Sequence, residues 1–480
     1  MHFNLVWVFS EKFGCALISI GAFFIYAYAL TPAEFGTAVV ILSAAQFLAI
    51  LISIFFEDTL VQLKDINDRY IDTAFWGSIL ASVIAMVFMI TGFHLVDYHA
   101  DDKDTLALVM FASTEILLTN IGVIYVAKLR RDGRFRLLAF RVLCGRIGGS
   151  ICGIIAALSA FGPWSILVQS VTGTALQTFI LVFSVRTFPT TQIYMPYLKY
   201  FCVFGSSLAL KRLSWDLLVR MSPMIAGLTL GTTAAGHVAF AWRMVELFRN
   251  SIITGVTSYL LPHFSRMQDS RDNMAKEFIS VTSLLSFTMT PLFLGILVTA
   301  PLIVTTIFEP KWNDTIPLIQ LFCISALLGG YRATVPITIT ASGQPQRMLT
   351  LNLLTTLAAL LIMLFAGSYG IWVFGAAFIV YIFFLLIGSV PIIKDLIGLS
   401  ADQQLLPIAK YCIPGLSMAC ILMVLQETLP NDSIGNNLLV QVILGVILYF
   451  ITSITFYRKD LHAWRIGFFG RQKNKETKAL

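Results

Sequence analysis

The sequence predicts an all-α polytopic membrane protein with about fourteen transmembrane helices. Three features point there: composition, the spacing of apolar segments, and the side on which basic residues fall. Of 480 residues, 57% are hydrophobic and 12% charged, whereas a soluble domain is about a quarter charged. So few polar groups do not cover a water-soluble fold. Lipid as solvent removes the conflict, because each span needs about 20 apolar residues and about fourteen spans take roughly 280.

The spans follow in order. The apolar run 13–30 comes after Lys12, lacks a small-residue cleavage site and is followed by many similar runs, so it reads as a span and not a signal peptide. Thr31-Pro32 parts it from 37–56. Spans three to five fall at 73–94, 105–127 and 142–161, and Gly162-Pro163 opens the sixth, 163–185. The seventh, 200–230, is long and charged, and Gly231-Thr232 divides it from 236–262. Spans 278–300 and 315–340 come next. Residues 348–393 hold no charge, and only Gly367-Ser368-Tyr369-Gly370 splits them into 348–366 and 371–393. The last two, 405–426 and 436–457, are parted by Leu429-Pro430-Asn431-Asp432. The seven cysteines are scattered through apolar runs, which suits small core residues and not a disulfide or metal framework.

With the amino terminus in the cytoplasm, the inner segments collect 25 of the 33 basic residues and the outer loops only Lys103 and Lys311. A wrong span count would scramble that alternation, so both termini are expected inside. Asp97, Asp101, Asp102 and Asp104 fall outside. The +7 net charge reflects this distribution and the basic tail, residues 458–480, which faces anionic membrane lipid; no nucleic-acid partner is expected.

A repeat is visible. Leu30-Thr-Pro-Ala-Glu-Phe-Gly36 joins spans one and two, and Leu230-Gly-Thr-Thr-Ala-Ala-Gly236 joins spans seven and eight. Phe161-Gly-Pro-Trp164 has a counterpart in Tyr369-Gly-Ile-Trp372. These matches predict two six-helix lobes, 1–195 and 196–398, in parallel about a pseudo-twofold axis with a cavity between them, followed by two additional helices over 399–457.

Charge within the spans marks candidate sites, since an ionisable group in hydrocarbon costs at least about 2.5–3.5 kcal/mol. Arg212, Asp216 and Arg220 share one face of span seven, and Arg243, Glu246 and Arg249 one face of span eight; Arg332 lies in span ten and Glu115 in span four. With Lys211, six positive and three negative groups make the interior net positive, which favours an anion. Guanidinium groups fit phosphate through their planar fork. The expected substrate-binding residues are Arg212, Arg220, Arg243, Arg249 and Arg332, with Asp216, Glu246 and Glu115 in ion coupling or charge pairing. The alternative is that the two clusters neutralise each other as structural ladders. Glu57 and Asp58 read as interfacial groups, and Pro223, Pro291 and Pro336 as potential kinks.

No phosphate-binding Gly-x-x-x-x-Gly-Lys-Ser/Thr loop, Gly-x-Ser-x-Gly or His-Glu-x-x-His occurs. No catalytic residue, cofactor or metal is expected. A membrane polymerase or acyltransferase would need an intramembrane His or paired carboxylates, often with a long outer loop; His237 sits beside an outer turn.

Leu30-Thr-Pro-Ala-Glu-Phe-Gly36, then Leu60-Val61-Gln62, Thr73-Ala-Phe-Trp76, Phe161-Gly-Pro-Trp164-Ser-Ile-Leu-Val-Gln169 and Leu261-Pro262 resemble Wzx-type polysaccharide exporters, over about residues 5 to 455. That resemblance implies the multidrug/oligosaccharidyl-lipid/polysaccharide superfamily, with two lobes in a V shape. It implies a flippase in the bacterial inner membrane, moving undecaprenyl-pyrophosphate-linked oligosaccharide for lipopolysaccharide, capsule or exopolysaccharide, driven by an ion gradient. A polysaccharide polymerase and a chain-length regulator are the implied partners. Relatives often carry a basic residue where this chain has Tyr28-Ala29, so a site there does not carry over. Other readings are a drug antiporter, which needs an acidic cavity, and a lipid II flippase.

Overall fold

Thr31 and Pro32 show how the sequence divides its helices. Thr31 is extended (φ −76°, ψ 158°), its hydroxyl accepts from the Glu34 amide at 3.3 Å, and its own amide donates to the Glu34 carboxylate at 2.8 Å. Pro32 sits in the first turn, where its missing N–H leaves no bond unmade. One helix therefore stops at Ala29 and another starts at once.

The computed structural model describes residues 2–63, 66–96, 103–185, 189–190, 192–267, 270–428, 438–455 and 457, all-helical apart from turns and without a strand among them. The basic tail, Asp97, Asp101, Asp102 and the turn at 429–432 lie outside the described residues. The first half of the chain forms α1 (His2–Ala29), α2 (Pro32–Gln62), α3 (Asp68–Val96), α4 (Lys103–Ile121 continued by Val123–Arg131), α5 (Phe135–Leu158) and α6 (Trp164–Val185). The second forms α7 (Met195–Leu230), α8 (Thr232–Ser265), α9 (Arg271–Ile307), α10 (Pro310–Ala341), α11 (Pro345–Tyr369) and α12 (Trp372–Ile397). Then come α13 (Ala401–Thr428) and α14 (Leu438–Thr455). Among the described residues, 11 helices are long and apolar enough to cross a membrane. The expected total of about fourteen also needs α1, whose described apolar stretch Gly14–Ala29 is shorter, and the charged α7 and α8.

Pro336 explains a break inside α10. Its ring nitrogen cannot donate to the carbonyl four residues back, which belongs to Arg332, and the helix is interrupted between Tyr331 and Thr334. Pro223 and Pro291 stay within continuous helices.

The halves pack by different means. In the first, α5 and α6 approach along Gly145, Gly149 and Gly153, with Gly173 opposite. Small residues let membrane helices gain dispersion contact where no hydrophobic force drives them together. A Cβ on Gly149 would lie 2.4 Å from the Gln169 carbonyl oxygen and 2.9 Å from the Gly173 Cα. Gly149→Leu should therefore destabilise the protein by about 1–3 kcal/mol, read as a lower thermal midpoint in detergent; an unchanged midpoint would show that this contact is not tight. In the second half, aromatic rings fill the interior, with Trp242 stacked on Phe378 at 4.7 Å and edge-on to Phe322 at 5.4 Å. The last two helices lie on α9: Tyr449 donates to the Phe287 carbonyl at 2.9 Å, and Gln426 of α13 donates to Gln441 of α14 at 2.8 Å.

The halves meet at the two repeated joins. Gly36 of α2 and Gly236 of α8 touch backbone to backbone: a Cβ on Gly36 would fall 1.8 Å from the Thr232 carbonyl oxygen, and one on Gly236 1.9 Å from that of Pro32. Trp312 of α10 reaches across this end to donate to the Ala27 carbonyl at 2.8 Å, and Lys311 donates to that of Tyr28 at 2.7 Å. At the other end, α2 contains a π-turn, Ile54–Asp58, whose Phe56 packs against Phe201 of α7 at 5.3 Å. There Glu57 and Asp58 face Arg130 of α4, at 2.9 and 3.6 Å.

Candidate functional site

Between the halves lies a cavity of about 550 Å³, lined mainly by α1, α2, α5, α6, α7 and α8. It reaches to Phe35 and Val238, beside the Gly36–Gly236 contact, so that contact closes one end. The volume falls within the roughly 300–1,000 Å³ range of small-molecule sites.

Helical spacing puts charge into it. Asp216 and Arg220 are four apart on α7, Arg243 and Glu246 three apart on α8, and all four side chains line the cavity. Glu115 of α4 joins them from the first half. So does Arg146 of α5, one of the 25 basic residues counted to the inner side; α5 begins at Phe135 and carries it into the bundle. Its position inside the expected span 142–161 was the signal for it.

The ladder alternative requires ion pairs along α7 and α8, and its Arg212 member lies outside the described side chains. Among the described residues, no carboxylate oxygen of Asp216 or Glu246 comes within 4.0 Å of a nitrogen of Arg220, Arg243 or Arg249. Arg220 instead donates to the Gln46 amide oxygen, across the gap between the halves. The Gln46 amide nitrogen donates to Glu115 at 3.3 Å and to Ser170 at 3.2 Å. A chain of polar groups thus runs from Arg220 through Gln46 to Glu115. Nε of Arg220 and the second carboxylate oxygen of Glu115 are buried without a protein partner.

Two expected residues stand elsewhere. Arg249 is not a cavity residue: its guanidinium lies over the Trp215 ring at 4.7 Å and near Trp242 at 5.6 Å, and it donates to Asn250 at 3.3 Å. It stands behind the wall that these tryptophans present to the cavity, a cation–π arrangement. Arg332 is buried inside the second half, donating to the Leu385 carbonyl at 3.3 Å with Met348 sulfur at 3.7 Å. The break at Pro336 turns it toward α12 and away from the gap. Arg212 falls on α7, but its side chain lies outside the described ones. Among the described residues, the cavity lining has three guanidinium groups (Arg146, Arg220, Arg243) and three carboxyl groups (Glu115, Asp216, Glu246).

Sequence reasoning also passed over the uncharged polar wall. Gln169, Ser170, Thr174 and Gln177 of α6 face the cavity, at i, i+1, i+5 and i+8. Glutamine, serine and threonine are too common for composition to mark them; the helical spacing was the available signal.

Comparison with known proteins agrees with this architecture. In fold the chain is similar to a lipid II flippase, MurJ, in an inward closed conformation, with a TM-score of 0.73, 13% identity, and coverage of 95% of this chain and 99% of that one. It is similar to an inward-facing multidrug resistance MATE transporter with a TM-score of 0.59, 14% identity, and coverage of 80% and 96%. In sequence it is 21% identical over 282 residues to the lipopolysaccharide biosynthesis protein WzxC of Escherichia coli K12, covering 56% of each chain. It is 22% identical over 328 residues to the succinoglycan biosynthesis transport protein ExoT of Rhizobium meliloti, covering 67% of this chain and 65% of that one. The chain spans a little over half the length of WzxC and just under two thirds of ExoT. A family profile described as "Polysaccharide biosynthesis protein" matches residues 25–317, more than half of the chain. With that match over most of the helices that build the cavity, the chain belongs to the polysaccharide biosynthesis protein family.

Proposed function

We propose that this protein is a flippase that carries a polyprenyl-pyrophosphate-linked oligosaccharide across the bacterial inner membrane for surface polysaccharide synthesis, without covalent chemistry. The supporting observation is the cavity between the halves, with Arg146, Arg220 and Arg243 on its wall and, among the described residues, no ion pair holding those three. A pyrophosphate crossing hydrocarbon needs donors and countercharge throughout, and guanidinium groups supply both. The halves, 1–195 and 196–398, act as rocking lobes around this site, with both termini cytoplasmic. The end closed by Gly36 and Gly236 then faces outward, and cargo enters from the cytoplasmic side.

The charge balance gives a coupling rule. Among the described residues, the lining is neutral when all six groups are ionised. An anionic cargo makes it negative, and uncompensated charge in a low-dielectric site is costly. Protons or cations taken up by Glu115, Asp216 or Glu246 restore balance, which links cargo movement to an ion gradient. Arg220 moves between Gln46 in the empty cavity and phosphate in the loaded one.

Deleting the gene should leave lipid-linked oligosaccharide on the cytoplasmic leaflet and remove the surface polymer. Loss of lipid II export, or of drug resistance, with a normal surface polymer would instead assign one of the other cargoes. Polymerase and chain-length-regulator partners follow from the same reading, and co-purification tests them.

A further inference from the structure

The cavity is chemically divided. α6 has no charged residue in its 22 positions, yet it turns Gln169, Ser170, Thr174 and Gln177 toward the cavity. Polar side chains on a membrane helix find partners either across a helix contact or in a polar cavity. Part of the stripe is anchored: Gln169 donates to Ser150 at 3.2 Å, and Ser170 accepts from Gln46. The Gln177 carboxamide makes no hydrogen bond among the described residues. It sits over Gly145, where a Cβ would fall 2.4 Å from its Cγ, so the glycine is what admits it. Facing this wall across the gap are Trp215 and Trp242, whose rings are 5.7 Å apart. The indole N–H of Trp242 is buried and unpartnered.

Phosphate oxygens only accept hydrogen bonds and carry charge, so the guanidinium groups suit them. Carboxamides and hydroxyls both donate and accept, as sugar hydroxyls do, and flat apolar ring faces suit the C–H faces of a pyranose. We propose that the α6 stripe is the glycan-selecting part of the cavity: Gln169, Thr174 and Gln177 read hydroxyls of the sugars nearest the pyrophosphate, and Trp215 and Trp242 form the opposing platform. This rests on the flippase reading above.

The test separates the two. Purified protein in nanodiscs is titrated with undecaprenyl pyrophosphate alone, and with the lipid-linked oligosaccharide extracted from cells lacking the gene. Gln177→Leu, combined with Thr174→Val, should weaken the glycosylated lipid about tenfold, as expected for two lost neutral hydrogen bonds, and leave the sugar-free lipid within about twofold. Gln177→Leu alone removes an amide with no protein partner and should leave folding intact; about a threefold loss confined to the glycosylated lipid is expected. Equal weakening of both lipids, or no change in either, overturns the assignment. Wild-type protein that binds neither lipid removes the flippase reading itself.

Discussion

Replacing Arg220 and Arg243 together by Gln should reduce lipid translocation by about 10²- to 10⁴-fold, the cost of two charge-assisted hydrogen bonds at about 1.5–3 kcal/mol each. Both side chains line the cavity from the second half, and among the described residues neither is held by a carboxylate. Protein level and insertion should be unchanged, because the substitution removes charge from the membrane interior. Arg220→Lys with Arg243→Lys should recover only part of the activity, since an ammonium keeps the charge but lacks the two-pronged fork. Arg249→Gln should have a smaller effect, acting through the tryptophan ring it covers. Arg332→Met should alter stability and not transport, because its bonds stay within the second half. Surface-glycan output at matched protein levels is the readout. A normal output from the Arg220/Arg243 double variant would remove those residues from the site.

The second large effect is expected at the contact between the repeats. A leucine at Gly36 would drive its Cβ to 1.8 Å from a backbone oxygen, and at Gly236 to 1.9 Å from another. Backbone cannot rotate out of the way as a side chain can, so the halves must part at this end. Gly36→Leu or Gly236→Leu should therefore hold the cavity open on that side and stop the transport cycle. In a cysteine-free background, Val39→Cys should become reactive toward a membrane-impermeant maleimide added outside in the leucine variant and stay protected otherwise. Equal protection in both would show that Gly36 and Gly236 do not form the closing contact.

The two glycines also show what was legible in the sequence. Their shared register in the repeat was readable, because each follows a helix break at an equivalent join. That they touch was not, since contact depends on how the helices cross. The intramembrane charges were readable as outliers in an apolar background, and Arg220, Arg243, Asp216, Glu246 and Glu115 do meet in one cavity. Arg249 could not be separated from them, because α8 carries all three charges on one stripe, and only the tryptophan pair decides that Arg249 lies behind it. Arg332 misled because its helix breaks just past it, so helical periodicity no longer gave its direction. Arg146 was missed because a basic residue near an expected span end reads as an anchor until the start of the helix is known.

The most direct measurement is an electron cryomicroscopy structure of the protein bound to undecaprenyl-pyrophosphate-linked oligosaccharide. The expected result places the two phosphorus atoms in the central cavity, with phosphate oxygens about 2.7–2.9 Å from guanidinium nitrogens of Arg220 and Arg243. Phosphates seated instead on the basic segment around Arg130 and Arg136, with Arg220 still bonded to Gln46, would contradict it.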